Sequence, residues 1–373
     1  MRTRATTVLL APLLVVALGA CTQAKSAGGS AITVDASDDA CTMSTSTTTT
    51  GDREFRITNT GTKVTEFYVL TEDGMVVSEV ENLTPGMTRS LHVTLKRPGA
   101  YKGNCKPGMV GDGIDAALAV TGDTITTDTD PKLEAAAGEY QAWVSAQADE
   151  LLIRTAEFVA AVKAKDVAQA KSLYAVARAP WERIEPVAES FGDLDPAIDG
   201  REDVIAEGLE FTGFHRLEKD LWVDGLQADS DAIADRLLAD VTTIVEKSKA
   251  ADLDGLKIAN GAKELLDEMA TGKITGEEDR YSHTDLHDFA ANWEGSKKGM
   301  EVLKPILTDR NQLLVADYNQ AATTLDGLIA AQREGEGYRL YTDVPQAEIK
   351  ALSDALTAVG EQVGRVGAAL ATQ

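Results

Sequence analysis

The apolar residues of this chain change their period once, near residue 122, and no single packed unit can serve both patterns. From Ala31 to Thr121 apolar and polar positions alternate, as in Ala31-Ile32-Thr33-Val34, Glu66-Phe67-Tyr68-Val69-Leu70 and Ser90-Leu91-His92-Val93-Thr94-Leu95. Period two is the pattern of strands with one buried face. Turn signals separate the runs: Asn59-Thr60-Gly61, Glu72-Asp73-Gly74, Thr84-Pro85-Gly86 and Arg97-Pro98-Gly99. Residues 31–121 are therefore predicted to form a β-sandwich, for which roughly 100 residues suffice. Gly122 to Pro131 is polar and turn-rich and reads as a linker. From Lys132 to Gln373 the period becomes 3.6, starting with Tyr140, Trp143, Val144, Leu151, Ala156, Phe158 and Val159 on one side of a long helix. Further helices are expected near 167–190, 205–221, 231–248, 253–271, 285–303, 309–332 and 347–370, with Gly and Pro between most of them. Long helices with short connections make an antiparallel bundle. The fold class is thus multidomain β + α, which suits a length of 373 residues.

Ahead of the sandwich, Arg2 and Arg4 precede an apolar run from Val8 to Leu18 and the ending Leu18-Gly19-Ala20-Cys21. The run is well short of the roughly 20 residues a spanning helix needs, so residues 1–20 read as a secretory signal. The ending resembles the lipobox of bacterial lipoproteins. That resemblance implies that Cys21 becomes the acylated N-terminus and that residues 21–30, rich in Gly, Ser and Ala, form a tether. The mature chain is then extracytoplasmic, held to the outer (periplasmic) face of the cell membrane by lipid alone. Acidic residues outnumber basic ones by 60 to 36, a net charge of -24. Such a surface repels nucleic acid and anionic headgroups and favours cations or basic partners.

Two places carry possible chemistry in the sandwich. Cys41 and Cys105 stand near its start and end, and Glu66 precedes an apolar run. Thiolates with a carboxylate could bind copper or iron. An oxidising compartment equally favours a Cys41–Cys105 disulfide, and the spacing leaves both open. His92 alternates with Leu91 and Val93 and is expected on the solvated side.

In the helical half, His215 and Glu218 lie three apart in Phe211-Thr212-Gly213-Phe214-His215-Arg216-Leu217-Glu218, which aims both at one spot. Such pairs hold iron-type ions inside bundles. Glu182 and Glu185 repeat the spacing, and an acidic stretch from Asp193 to Asp203 includes Asp199. Carboxylates with one imidazole suit Fe(II), Fe(III), Mn or Zn better than Cu(I). Solvated acidic faces would look the same in so acidic a chain. His283 and His287 have zinc-like i,i+4 spacing, but Thr284 stands where HExxH needs its glutamate. Ser282 or Thr284 is better read as a helix cap.

The stretches Ala177-Arg178-Ala179-Pro180-Trp181-Glu182-Arg183-Ile184-Glu185-Pro186, Asp193-Leu194-Asp195-Pro196-Ala197-Ile198-Asp199 and Gly213-Phe214-His215-Arg216-Leu217-Glu218 resemble the imelysin-like (peptidase M75) family, and within it the extracytoplasmic components of Efe-type iron uptake. Glu66 to Leu70 and Tyr101 to Cys105 resemble the cupredoxin-like domain of the same proteins. The resemblance covers essentially the whole mature chain. It implies a cupredoxin-like sandwich joined to an imelysin-like bundle whose HxxE motif binds metal in a cleft. The implied ligands are His215, Glu218, Glu185 and Asp199, with Glu182 close behind and Glu294 closing the site from a third helix. In the sandwich they are Cys41, Glu66 and Cys105. Gly103 stands where some relatives carry methionine, which puts a copper site there in question. The implied cargo is iron (Fe2+/Fe3+), with zinc or manganese as surrogates and copper in the sandwich. The implied partners are a membrane ferric permease and a haem-containing peroxidase. A metal-dependent solute- or polysaccharide-binding lipoprotein is the alternative. A metallopeptidase is disfavoured, because neither HExxH nor a nucleophile with a matched base is readable; the chain is expected not to be an enzyme.

Overall fold

The computed structural model describes residues 31–72, 74–109, 111–125, 130–188, 194–207 and 209–371. The expected signal, Cys21 and the tether lie outside the described residues. Alternation in the first part becomes nine strands: β1 (Ile32–Ala36), β2 (Cys41–Met43), β3 (Thr47–Thr49), β4 (Gly51–Asn59), β5 (Thr65–Thr71), β6 (Val76–Leu83), β7 (Thr88–Leu95), β8 (Gly99–Pro107) and β9 (Ile114–Thr121). They form two sheets, β2-β1-β4-β7 and β3-β9-β8-β5-β6. The inward positions, among them Ile32, Val34, Phe55, Ile57, Phe67, Val69, Leu91, Val93, Leu118 and Val120, make the sandwich core. Burial of this apolar surface, at roughly 25 cal/mol per Å², is the main force closing it. Cys41 on β2 is bonded to Cys105 on β8, with 5.4 Å between their Cα atoms, so the bridge joins one sheet to the other.

The helical part comprises α1 (Pro131–Lys163), α2 (Val167–Ala188), α3 (Leu194–Asp199), α4 (Gly213–Lys219), α5 (Ser230–Lys249), α6 (Gly255–Thr271), α7 (Asp285–Arg310), α8 (Gln312–Ala330), α9 (Gln346–Val363) and α10 (Val366–Ala371). Its core runs from Tyr140, Val144, Leu151 and Phe158 on α1 through Trp181 and Ile184 on α2 to Leu303 and Ile306 on α7. Pro180 and Pro186 lie inside α2, and Pro305 inside α7, rather than between helices.

The helix expected over 205–221 is instead broken into a 3₁₀ turn (Glu202–Glu207), the short α4 and a π turn (Asp220–Asp224). Gly213 explains the break. Its φ is +75°, and a Cβ there would lie 2.1 Å from the Ile198 carbonyl oxygen. Only glycine lets α4 start against the end of α3, and that contact brings the His215 segment to Asp199.

The sandwich docks on the bundle through β6 and β7, which meet α6, and through β7 against α10. Arg89 pairs with Asp267 at 2.5 Å, Lys96 with Asp252 at 2.8 Å, and Asn260 donates to the His92 carbonyl at 2.7 Å. His92 is therefore half-buried beside Gly367 rather than solvated. The polar face of its strand is covered by the second domain, which strand periodicity alone does not reveal. No helix among the described residues is long and apolar enough to cross a membrane.

Candidate metal centre

One stripe of α2 turns charge inward. Tyr174, Arg178, Trp181, Glu182 and Glu185 recur at helical spacing on a single face, and all are buried. Facing them are His215 and Glu218 of α4, Asp199 at the end of α3, Asp288 and Asn292 of α7, and the segment Lys273–Thr284 between α6 and α7, which supplies Lys273, Glu278 and Asp279.

His215 stands at the middle. Its Nδ1 is 3.2 Å from Glu218 Oε2, 3.2 Å from the Tyr174 hydroxyl and 4.0 Å from Asp279 Oδ1. Tyr174 donates to Asp279 at 3.0 Å. Glu218 Oε1 accepts the backbone N–H groups of Tyr281 and Ser282, at 3.0 and 2.7 Å, which fixes that carboxylate and ties the loop to α4. His215 Nε2 is buried and makes no hydrogen bond. It faces Asp199 Oδ1 at 3.6 Å and Glu278 Oε1 at 3.5 Å. Those gaps are long for hydrogen bonds but near the separation of two ligands sharing one ion through bonds of about 2.1 Å. Two overlapping groups of potential ligands result: Asp199, His215 and Glu278, and His215, Glu218 and Asp279.

Two buried cations balance the surrounding acids. Arg178 donates to Asp199 and Glu182, to Asp288 at 3.2 Å and to Glu278 at 3.4 Å. Lys273 donates to Glu182 and to Glu185, at 2.8 Å, while Asn292 donates to Glu185 at 2.7 Å. Burial and the Arg178 charge push the His215 imidazole down, yet Asp199, the hydrogen bond to Glu218 and the neighbouring Glu278 carboxylate outweigh them and hold it at about 9. Burial raises Glu278, but Lys273 and His215 bring it well below the usual carboxylate range. Burial pushes Asp288 and Glu185 well above it. At about 9 the imidazole carries a proton near neutral pH, and a cation binding a ring nitrogen would release that proton.

Residues 136–364 match the imelysin family, and residues 10–120 match the cupredoxin-like domain. The chain belongs to the imelysin family. It is 37% identical over 341 residues to the iron uptake system component EfeO of Escherichia coli (strain K12), with 90% of each chain covered. The EfeO proteins of Shigella flexneri and Escherichia coli O157:H7 show the same identity and coverage.

Of the residues singled out in the imelysin domain, the structure places Asp199 at His215 Nε2 and Glu218 at His215 Nδ1, in two groups that share only the imidazole. Glu182 and Glu185 lie beside it but are engaged by Arg178 and Lys273. Glu294 does not join. On α7 the inward residues are Asp288 and Asn292, and Glu294, two positions further on, turns outward to Arg183 at 2.7 Å. His283 and His287 belong to no ligand group among the described residues; the His287 ring packs edge-on against Tyr338.

The cupredoxin-like domain needs a larger correction. Both thiols are consumed in the Cys41–Cys105 bond, so neither is a thiolate ligand here. Phe67 pairs with Cys105 and Glu66 with Lys106 in the β5–β8 ladder. Adjacent strand positions point to opposite faces, so Glu66 is outside the core in which Cys105 sits. Glu66 Oε2 instead accepts the Tyr68 hydroxyl at 2.6 Å. Gly103 leaves room for Met43, whose Sδ a Cβ would approach to 2.9 Å. The copper set is not assembled.

Sequence reasoning missed Tyr174, Arg178, Lys273, Glu278, Asp279 and Asp288. Arg178 had a local signal, since it is four residues before Glu182 on the inward stripe. Lys273 and Glu278 had none, because their partners lie far away in the chain.

Proposed function

We propose that the chain is the extracytoplasmic iron-binding component of an uptake system, lipid-anchored through Cys21, which captures Fe2+ or Fe3+ at the His215 centre and passes it to a membrane permease. A haem-containing peroxidase is the second partner in this reading. The observation that carries it is His215 Nε2, buried without a hydrogen bond and facing the Asp199 and Glu278 carboxylates. A buried polar atom without a partner is costly, and an ion ligated by all three would satisfy it. The kinship with proteins named as iron uptake system components supports iron as the cargo. His215, Glu218, Asp199, Glu278 and Asp279 are the ligand candidates, and Glu182 and Glu185 hold Arg178 and Lys273 in place around them. The role is binding rather than catalysis: it needs ligand exchange and no nucleophile. Iron titration of His215→Ala and Glu218→Ala should show affinity reduced at least roughly tenfold, the scale seen for altered metal shells. The double variant His283→Ala/His287→Ala should bind as the unaltered chain does. The reverse pattern would place the cargo elsewhere.

A further inference from the structure

We propose that Arg178 is a built-in competitor of the iron ion: its guanidinium holds the Asp199 and Glu278 carboxylates in the metal-free chain, yields them to the ion by turning to Asp288, and by returning sets how readily iron is released. This inference rests on the reading of the His215 centre as the iron site and adds the residue that regulates it.

The oxygens that face His215 Nε2 are Asp199 Oδ1 and Glu278 Oε1, at 3.6 and 3.5 Å. Arg178 donates to these same two atoms, from Nη1 to Asp199 and from Nη2 to Glu278 at 3.4 Å. Its Nε lies 3.6 Å from Asp279 Oδ1, a member of the second ligand group. An ion bonded to the Asp199 oxygen would stand within about 5 Å of a guanidinium nitrogen, the sum of a metal–oxygen bond and a hydrogen bond. Arg178 is 0% exposed, so water screens little of that repulsion. A lysine or histidine could relieve it by shedding a proton, but a guanidinium keeps its charge and has to move. Lys273, the other buried cation, is bonded to Glu182 and Glu185 and to neither of the two oxygens.

A place for the displaced guanidinium is already present. Asp288 Oδ2 receives Arg178 Nε at 3.2 Å, while Asp288 Oδ1 is buried and accepts no hydrogen bond. Glu182, one turn further along α2, also accepts from Nη2 and keeps the side chain on this side of the centre. Turning from Asp199 onto the second oxygen of Asp288 would give the guanidinium a two-bonded grip on one carboxylate, the strongest geometry open to it. One network therefore contains two buried polar atoms without partners, His215 Nε2 and Asp288 Oδ1. A single exchange satisfies both, with the ion on the first and the guanidinium on the second. Because the reverse exchange restores a charge-balanced centre, the ion leaves without exposing bare buried carboxylates. That suits a protein that has to hand its cargo on.

Iron(II), titrated anaerobically into the full chain at pH 7.5, is the probe. Affinity, the rate of release to a chelator and the melting temperature are the readouts. Arg178→Gln should bind iron at least roughly tenfold tighter, because repulsion between a divalent ion and a buried charge this close exceeds that factor. It should release iron correspondingly slowly, and its metal-free form should melt below the unaltered chain. Arg178→Lys, which keeps the charge, should stay close to the unaltered affinity. Should Arg178→Gln fold poorly, Arg178→Gln/Glu182→Gln removes one charge of each sign and should show the same tightening. A purely structural Arg178 predicts the opposite sign, weaker binding in both glutamine variants. That result, or an unchanged affinity, overturns the proposal. His215→Ala separates this from the reading beneath it: iron bound as tightly as by the unaltered chain would remove the site itself. Loss of binding in His215→Ala without tightening in Arg178→Gln would reject the role of Arg178 alone.

Discussion

Between the two sheets of the sandwich the buried side chains are mostly apolar or bonded sulfur, from Ile32 and Val34 to Phe67 and Cys105, with Asn59 satisfied by the Lys63 and Leu83 carbonyls, whereas at the centre of the bundle Arg178, Glu182, Asp279 and Asp288 are sealed from solvent with their charges facing one another. An apolar interior gains free energy from every side chain it covers. A buried ion network often does no better than break even, because desolvation offsets attraction. The sandwich is therefore built to be stable, and the centre of the bundle to be charged. The second domain surrounds its polar interior with apolar side chains such as Phe158, Phe214, Trp181 and Trp293, whose burial helps to hold it folded.

The sharpest way to break this contrast is to remove the cystine. Cys41→Ser/Cys105→Ser opens a loop of 64 residues. Chain-entropy reasoning puts the loss at about 4 kcal/mol. The loss should appear as early melting of the sandwich, with iron affinity at the bundle unchanged. Differential scanning calorimetry beside iron titration separates the two. An equal loss of iron affinity would mean that the sandwich thiols take part in binding after all.

The bundle should instead reveal itself through pH. His215 lies at about 9 in the fold against an ordinary 6.5. A raised folded value means that its contribution is complete below about pH 6.5 and is lost as the pH climbs through about 9. The shift corresponds to on the order of 3 kcal/mol at most. Denaturant unfolding of the metal-free chain at pH 6, 7.5 and 9 should show a decline that His215→Gln flattens. A slope unchanged in that variant would transfer the effect to Asp195 and Glu264, which titrate near pH 8 and act in the same direction.

How much of this was legible in the chain follows the range of each interaction. Strand alternation and helix period are local, so the sandwich and the long helices could be read directly. The His215–Glu218 pair is also local, one turn of helix. Arg178 meets Glu278 across 100 positions and Lys273 meets Glu182 across 91, and no short pattern encodes such meetings. Cys41 and Cys105 were legible only as two alternatives, because spacing does not tell a bond from a shared metal. The covered face of β7, which half-buries His92, and the start of α4 at Gly213 depend on neighbours supplied by distant segments.

Glu294 tests the same distinction at the smallest scale. Family likeness placed it in the metal site, but helix phase places it outside. Asp288 and Asn292 point into the centre, and two further residues turn a helical position by roughly 200°. Glu294 there pairs with Arg183 beside an open groove with Trp143 and Gln147, its side chain 42% exposed. Exposed pairs of this kind contribute about 0–1 kcal/mol. Glu294→Ala should therefore shift stability by less than about 1 kcal/mol. Iron titration should give an affinity like that of the unaltered chain, beside the large loss expected for Glu218→Ala. A loss in Glu294→Ala comparable to that of Glu218→Ala would require α7 to rotate or slide when iron binds. The charged interior would then be a closing clamp rather than a preformed cage.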